Sequence, residues 1–429
     1  MKPNKMALTG ALLLALSACP TAQAYDFKAS SVFYNYTSPQ KKGAVVTYFD
    51  LQNNLEAYTD NVVIPGKVSY NSSEIPVRGI GDHALFNCQF VTSVVIKDGP
   101  SYIMDQAFSH CYGMKTLTLP STLTFIGDYA FEYCEDLTTV TIPAAVEEFG
   151  SNVFTNCNGL TEIKVEEGNP ILEDIDGVLY LKSPKMLVQY PSGKGADEYT
   201  IPAGVTVVAP YAFSPAYNLR TITIGPDVER IRPLTFTDCP LLTDIVVDEQ
   251  NPNNCTIDGA LYDKAVETLI QYPRSRVCEE LSLPEGVVSA DAFALNGCTD
   301  IRNLVLPESF RSIDDFCLFN SRFNSITCKS HRPPVVGSYA IDENTYNNTI
   351  LYVNAADVDT YRKAAGWSSF KQILPIGSSA VSDIDINRRA VSTEWFDMQG
   401  RRIEKPASGM AISVTTYSDG TISRTKEVL

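Results

Sequence analysis

The sequence predicts an α/β solenoid, a stack of similar coils with a parallel β-sheet along one side. The first observation is a 23-residue repeat with the pattern Ile-Gly-x-x-Ala-Phe-x-x-Cys-x-x-Leu-x-x-Val-x-Ile-Pro. The second is a longer unit that recurs 82 residues on and aligns Asp176-Gly177 with Asp258-Gly259. Repeats of such periods bury their apolar faces only by stacking on one another. We therefore expect one solenoid in place of the roughly three domains that a chain of this length would otherwise suggest.

Each short repeat contains one strand of the predicted sheet. In "LTTVTIP", Leu137, Val140 and Ile142 are apolar, and Thr139 and Thr141 lie between them. This alternation predicts a strand with one buried face and β-branched residues on the other. The proline that follows lacks an amide donor and fits the end of a strand.

The segment between strands is predicted to be a short helix or an irregular turn on the convex side. In "FIGDYAFEYC", Ile126, Ala130, Phe131 and Cys134 recur at helical spacing, and we expect Gly127 to let the chain turn. With its Leu-x-x-Leu-x-Leu core, the unit predicts a leucine-rich-repeat parallel β-sheet.

A cysteine ends the Ala-Phe segment of most repeats. Ala216 takes its place in "AFSPAYNLRTITI", and "AFALNGCTDIRNLVL" displaces Cys298 by two positions. The cysteines of the regular series are Cys88, Cys111, Cys134 and Cys157, with Cys239 continuing it after an interruption.

Three roles compete for these cysteines. A metal site usually needs Cys-x2-4-Cys pairs, and the sequence contains none. Disulfides between coils fit the geometry, since stacked strands lie about 4.8 Å apart and a disulfide accepts Cα separations near 5.5 Å. The third role is a small buried thiol in every coil. Alanine in the same position at residue 216 favours the buried thiol.

The ends of the stack need caps, because an uncovered coil exposes its core and a strand edge. Alternating residues in 25–75 predict an N-terminal β cap, and the solenoid is expected to occupy 76–348. A C-terminal cap is expected at 349–376, where "DVDTYRKAAGW" predicts a short amphipathic helix with Trp367 and Phe370 in the core.

The N-terminus predicts export. Residues 1–24 have two lysines ahead of an apolar run too short to span a bilayer, as in a signal peptide. Ala22-Gln23-Ala24 fits an ordinary cleavage site and predicts a mature chain that starts at Tyr25. The alternative is that Leu16-Ser17-Ala18-Cys19 is a lipobox with a lipid on Cys19. No later segment is apolar enough to cross a membrane.

Residues 25 to about 376 resemble the BspA-type leucine-rich-repeat proteins of Bacteroidetes and other host-associated microbes. The resemblance rests on the Ala-Phe-x-x-Cys-x-x-Leu units, on two Asp-Gly-x-Leu-Tyr units and on "TILYVNAADVDTYRKAAGWSSFKQI". It implies adhesion to host matrix proteins, host cells or other bacteria.

Residues 377–392 are small and polar and predict a linker, after which 393–429 predict a small β tail. The tail resembles a type IX secretion C-terminal sorting domain, although the usual Pro-Asn-Pro is absent and Ala411 replaces a common aromatic. The alternative is a plain β domain. The matching positions are Asp397, Gly400, Arg401, Gly409 and Ile412.

Composition and motifs exclude several functions. A formal charge of -16 and a pI near 4.7 disfavour nucleic acids and anionic membranes as partners. The three histidines, His83, His110 and His331, lie in different units and form no His-Glu-x-x-His motif. We expect no enzymatic activity, no cofactor and no metal.

The sequence therefore predicts a non-catalytic secreted or cell-surface protein that binds a protein or glycan on a host or on neighbouring bacteria. Register between coils predicts one continuous outward patch, although threonines also suit a plain solvated sheet. The alternatives are a glycan or nutrient-capture accessory protein, favoured if aromatic residues cluster, and an enzyme with an unrecognised site. The candidate partner-binding residues are Thr116, Thr118, Thr139, Thr141, Glu162, Lys164, Arg220, Thr221 and Thr223.

Overall fold

Repeated coils with three sides make up most of the structure. Each ordinary coil has one strand in a first parallel ladder, one strand in a second parallel ladder, and a third side made of turns. The predicted solenoid is thereby confirmed. Within the part of the chain that is described, no helix is both long and apolar enough to span a bilayer. The structure, a computed structural model, describes residues 24–50, 57–378, 390–396, 402–403, 410–417 and 422–428.

The first ladder contains the strands that the Leu-x-x-Val-x-Ile pattern predicts. Thr139 pairs with Glu162 and Thr141 with Lys164 in parallel register, while Val140 and Ile163 are buried. Its strands are Asp60–Ile64, Val91–Ile96, Thr116–Thr118, Thr139–Ile142, Glu162–Val165, Glu198–Thr200, Thr221–Ile224, Asp244–Val247, Cys278–Ser282, Ile301–Leu306, Ser325–Cys328, Ile350–Val353 and Gln372–Pro375.

The second ladder lies after the proline turn and consists mostly of two-residue strands. Phe125 and Ile126, for example, pair in parallel with Tyr102 and Ile103. Its strands are Ser73–Ile80, Tyr102–Ile103, Phe125–Ile126, Glu148–Phe149, Lys185–Gln189, Val207–Val208, Arg230–Ile231, Thr268–Gln271, Ser289–Ala290, Ser312–Ile313 and Val335–Val336.

Each of the two longer repeat units adds an antiparallel hairpin. The turn of each hairpin lies against the first ladder, where the amide of Ile163 donates to the carbonyl of Gly177 and that of Ile245 to Gly259, both at 2.9 Å. The described first ladder consists of four hydrogen-bonded sheets, and the hairpins lie at two of the three breaks between them, so the prediction of one continuous outward patch is wrong. Their strands are Leu172–Ile175, Val178–Lys182, Asn254–Ile257 and Ala260–Asp263.

The third side, which we call the turn face, is irregular. Of the two predicted alternatives, helix or turn, the structure has turns. In a typical coil Tyr129 and Tyr133 have φ of 56° and 57°, and their amides each donate to a carbonyl of the next coil at 3.0 Å. These bonds between coils help hold backbone angles that cost non-glycine residues free energy.

Gly127 does not have the role that we expected. Its φ is outside the left-handed region, but a Cβ atom there would lie 2.4 Å from the Asp105 carboxylate and 2.7 Å from the Asp105 amide nitrogen. Asp105 in turn accepts a hydrogen bond from the Asp128 amide at 2.9 Å. Glycine is therefore required by the close stacking of two coils.

The repeated cysteines are free and buried in the core, as the third of the competing roles predicts. The thiol of Cys134 donates to the carbonyl of Phe108 in the preceding coil at 3.3 Å, and Cys157 does the same to Phe131 at 3.1 Å. The thiols thus add a hydrogen bond between coils to their apolar packing.

The predicted displacement of Cys298 is wrong. Its amide donates to the carbonyl of Leu295, just as the amide of Cys134 donates to Phe131, so Ala294-Leu295 is the true Ala-Phe pair of this coil. Both residues are buried. Phe293 resembles a repeat phenylalanine only in the letters of the sequence.

The two ends of the stack have their own elements. Trp367 and Phe370 are buried, as predicted, and the indole of Trp367 donates to the carbonyl of Pro334 at 2.7 Å. The helices near this end are Glu343–Asn348 and Val358–Tyr361, with a 3-10 turn at Ala355–Asp357. The additional strands at the N-terminal end are Phe27–Ala29, Val32–Tyr36, Ala44–Val46 and Lys67–Tyr70.

The C-terminal tail contains one antiparallel sheet. The strand Ala390–Phe396 lies between Arg402–Ile403 and Met410–Tyr417, with Glu394 opposite Val414. In spatial order the strands are Arg402–Ile403, Ala390–Phe396, Met410–Tyr417 and Ile422–Val428.

Candidate functional site

The threonines proposed from the sequence lie on the outer face of the first ladder. Thr116, Thr118, Thr139 and Thr141 are exposed, and Thr116 is paired with Ser93 in the neighbouring coil. These side chains present hydroxyl and methyl groups without a recess around them among the described pockets. This outer face therefore offers a partner a contact surface but few groups that would select a particular ligand.

The charged candidates are separated by the first hairpin. Lys164 forms an ion pair of 3.0 Å with Glu162 on its own strand, and both side chains are largely open to solvent, so the pair contributes little to stability. Arg220 precedes the next segment of the ladder, where Thr221 is half-buried between Glu198 and Asp244. The same strand carries half-buried Thr223.

Most of the candidate sorting motif and residues 1–23 of the signal region lie outside the described residues. Asp397, Gly400, Arg401 and Gly409 belong to this group, whereas Ile412 lies in a strand opposite Phe396. Cys19 and the rest of the candidate lipobox also fall outside.

The histidines do not form a catalytic group. The Nδ1 atom of His110 is 2.7 Å from the Ser109 hydroxyl, which donates to Glu132 at 3.4 Å. A nucleophilic triad needs the carboxylate on the histidine, but here it contacts the serine, and Ser109 is fully buried. His331 lies far along the chain and is 2.8 Å from Asp357.

The turn face instead carries aromatic side chains in rows. The rings of Phe86, His110 and Tyr133 follow one another from coil to coil, with centroid separations of 5.2 Å and 4.6 Å. Tyr112 lies beside them, 5.6 Å from His110. His110 and Tyr133 occupy the same turn position 23 residues apart, whereas Phe86 lies one position earlier in its turn, and stacking between coils fixes the rings.

A second row occupies the later coils. Phe293, Phe316 and Tyr339 stack at 5.1 Å and 5.5 Å, and Tyr339 is 72% exposed. Phe293 and Tyr339 occupy the position that Tyr129 and Tyr211 occupy in earlier coils, each with a left-handed φ.

Between the two rows the turn face contains a recess of about 460 Å³, which we call the turn-face recess. Five coils contribute to it. A straight stack would separate Tyr129 from Phe293 by six coils, or about 29 Å, so the turn face curves inward locally. The lining residues are Tyr129, Glu132, Tyr133, Asn152, Thr155, Asn156, Tyr211, Ser214, Thr237, Asp238, Phe293 and Asn296.

The recess exists because two coils contribute no side chain to it. In the longer units the Ala-Phe turn is replaced by Tyr190-Pro191 and by Tyr272-Pro273, all four residues being buried. The amides of Tyr190 and Tyr272 donate to the following coil at 2.8 Å, so both turns continue the stack. Neighbouring coils project beyond them and form the walls.

The two turns differ in the next residue. Arg274 projects from the second turn, forming an ion pair of 3.3 Å with Asp238 and a hydrogen bond of 3.3 Å to the carbonyl of Gly297. A Cβ atom at Gly297 would lie 2.7 Å from the arginine, so glycine leaves room for it. The equivalent residue of the first turn is Ser192, which is small and buried and forms no such ion pair among the described residues.

Hydrogen bonds orient several side chains in the recess. Asn152 donates to the Tyr129 hydroxyl at 3.0 Å, and Thr237 donates to the Ser214 hydroxyl at 3.1 Å. The hydroxyl of Thr155 is buried and has no hydrogen-bond partner among the described residues. The hydrogen bonds of Asn152 and Thr237 leave the site largely preformed.

The carboxylates set the electrostatics of the recess. Burial raises the pKa of Tyr133, and the nearby Glu132, Asp238 and Glu135 raise it further. Burial also raises the pKa of Glu132, against the effect of its hydrogen bond from Ser109. No lysine or arginine is among the lining residues that the structure describes.

Reasoning from the sequence did not identify this site. It named clustered aromatics as the observation that would favour glycan, but it could not place residues from five coils together. One usable signal was present: aligning the longer units puts Ser192 opposite Arg274, a change from a small to a long side chain within an otherwise repeated turn.

The chain is similar to several solved structures. No curated protein matches the chain. A leucine rich cell surface protein from Faecalibacterium prausnitzii is 20% identical, with a TM-score of 0.41, covering 71% of this chain and 96% of its own. The pneumococcal vaccine antigen PcpA is 17% identical, with a TM-score of 0.45 and coverage of 84% and 100%. A leucine-rich repeat protein from Eubacterium ventriosum is 18% identical, with a TM-score of 0.45 and coverage of 73% and 92%.

The family model for the BspA type leucine rich repeat region matches six copies in the chain, at residues 68–177, 192–262 and 273–361. These residues are more than half of the sequence and contain most strands of both ladders and all the lining residues of the turn-face recess. The chain belongs to the BspA-type leucine-rich-repeat family.

Proposed function

We propose that the protein is an exported, non-catalytic binding protein that attaches to a macromolecule on a host or a neighbouring bacterium through its repeat surface. The observation that carries the proposal is the turn-face recess, where preformed aromatic and polar side chains converge. Convergence of this kind is typical of ligand sites, whereas a purely structural turn face has no need of it.

Export is part of the same proposal and is supported by the sequence of residues 1–24, with Tyr25 as the proposed mature N-terminus. The β tail at 393–429 is proposed as a sorting domain on the matches stated above. The proposed division into cap, solenoid, cap, linker and tail follows the boundaries predicted from the sequence.

The outer face of the first ladder is the second candidate for the binding surface. Its support is the exposed threonines on two coils, together with Lys164, which is in register with Thr141, and Arg220. Such a flat face suits a large protein partner, and charges on it would influence association and specificity more than affinity.

The experiment applies the mature protein to an array of purified matrix proteins and glycans and to intact host and bacterial cells. We expect saturable binding that falls at least tenfold in Tyr133→Ala/Tyr211→Ala. The matched control for the other face is Lys164→Glu/Arg220→Glu, which should bind like the unaltered protein. Loss of binding in the control alone would assign the function to the first ladder, and no binding to any surface would contradict the proposal.

A further inference from the structure

We propose that the turn-face recess binds a neutral oligosaccharide. This inference rests on the proposed binding function and specifies the ligand class. A pyranose ring presents a face of C–H groups and a rim of hydroxyls, so a site for it needs aromatic surfaces beside neutral donors and acceptors. The lining of the recess combines these two kinds of groups.

The aromatic surfaces come from four half-buried rings, Tyr129, Tyr133, Tyr211 and Phe293. Tyr133 packs against His110 at a centroid separation of 4.6 Å, and the Tyr129 hydroxyl is held by Asn152. Rings fixed in this way lose little side-chain entropy when a ligand stacks on them.

The polar groups are amides and hydroxyls that can both donate and accept. Asn152, Asn156 and Asn296 supply amides, and Ser214 and Thr237 supply hydroxyls. Carbohydrate hydroxyls also donate and accept, so each can satisfy such a side chain in either direction.

Charge excludes anionic ligands. Glu132 and Asp238 line the recess, no cationic side chain is among the described lining residues, and the whole chain carries a formal charge of -16. A sialylated or sulfated glycan would bring like charge to these carboxylates.

A cationic ligand is also disfavoured. Asp238 already has its counterion in Arg274 at 3.3 Å. Glu132 accepts from Ser109 and lies in a partly buried position where charge is unfavourable. A cationic ligand would therefore gain little from Asp238, and a neutral ligand fits the recess best.

The first test variant copies into one Tyr-Pro turn a residue that the other Tyr-Pro turn already contains. Ser192→Arg introduces into the first Tyr-Pro turn the arginine that covers the second turn, and so fills space beside the recess. Tyr133→Ala removes a stacking surface and serves if the arginine prevents folding. Tyr339→Ala is the matched control, because it removes an exposed aromatic from the same repeat position as Tyr129 at the far end of the turn face.

Calorimetric titration of the mature protein uses tetrasaccharides of glucose, mannose and N-acetylglucosamine as neutral probes. Sialyllactose, a heparin tetrasaccharide and a lysine-rich peptide are the charged probes. Thermal unfolding of each variant verifies that it is folded. We expect at least one neutral probe to bind with little dependence on salt, Ser192→Arg and Tyr133→Ala to lose tenfold or more in affinity, and Tyr339→Ala to stay within twofold.

The proposal is overturned if no neutral probe binds, if only the peptide or an anionic probe binds, or if folded Ser192→Arg and Tyr133→Ala both bind like the unaltered protein. Failure of the neutral probes alongside retained binding to cells or matrix proteins would reject the glycan and leave the proposed function standing. Failure of every probe and surface would reject both.

Discussion

At the residue scale, the cysteine position of the repeat accepts different residues, provided that they pack against the neighbouring coil. The cysteine position contains a thiol in most coils, alanine at Ala216 and serine at Ser321, whose hydroxyl donates to the carbonyl of Leu295. The sequence predicted a buried thiol from the alanine alone. It could not predict the hydrogen bond to the preceding coil, because that partner is 26 residues away and is defined only by the stacking register.

The reactivity of the thiols tests directly whether the repeated cysteines are buried. Burial raises the pKa of Cys111 and Cys134 well above the usual range, so thiolate is scarce as well as inaccessible. Cys255 and Cys278 are the described cysteines with partial exposure. Alkylation of the native protein followed by peptide mass spectrometry should label these two first, with the core thiols modified only after unfolding. Rapid native labelling of Cys134 would contradict the packing described here.

Asp291 should make stability depend on pH. Burial, followed by the charges of Asp314 and Asp263, raises its pKa to about 6 from a usual 3.8. The folded state therefore binds the proton more tightly, and stability falls as pH rises from about 4 to 6. Above that range Asp291→Asn should be about 1 kcal/mol more stable than the unaltered protein, after allowance for solvent screening.

Urea unfolding at pH 3.5 and pH 7 measures this difference. Because all other carboxylates are common to the two proteins, the variant should match the unaltered protein at the lower pH and exceed it at the higher. Equal stability at both values would mean that Asp291 has an ordinary environment.

At the element scale, the sequence predicts well where the strand of a single coil lies and where it ends. Alternation in "LTTVTIP" identified a strand of the first ladder, and the proline its end. The sequence misassigned the Ala-Phe pair before Cys298, because Ala292-Phe293 has the same letters as the true pair Ala294-Leu295. Only hydrogen bonds to adjacent coils, such as that from the Leu295 amide to Cys317, determine the register.

Gly127→Ala tests how closely the coils stack. An added methyl group would clash with the backbone and carboxylate of Asp105, so we expect a loss of about 2 kcal/mol in the free energy of unfolding. Gly225→Ala is the matched control, since a Cβ atom there meets nothing within 4 Å and its φ is not left-handed. The control should change stability by less than about 0.5 kcal/mol. Equal effects in denaturant unfolding would show that the close approach at Gly127 is unimportant.

At the scale of the whole molecule, the sequence predicted the solenoid but not its surface. A 23-residue period is local information, so the stack could be inferred from it. The turn-face recess depends on residues of five coils that converge around two recessed Tyr-Pro turns, which no local pattern encodes. The two longer repeat units also interrupt the first ladder, and for this reason the prediction of one continuous outward patch was wrong.

Deleting residues 378–429 tests the independence of the tail. If the tail is a separate unit, thermal unfolding of the remaining chain should shift by no more than about 2 °C, since few stabilising contacts are lost. If it is also a sorting domain, the shortened protein should accumulate in the periplasm. Fractionation of cells and calorimetry distinguish the two results, and normal surface display would reject the sorting assignment.

Hydroxyl-radical footprinting of the mature protein, with and without the partner found on the array, tests the central claim most directly, because it reports which side chains a partner covers. The account predicts that Tyr129, Tyr133 and Tyr211 become protected, while exposed Tyr339 and the first-ladder residues Thr141 and Lys164 react as before. Protection confined to Thr141 and Lys164, with the three tyrosines unchanged, would contradict it.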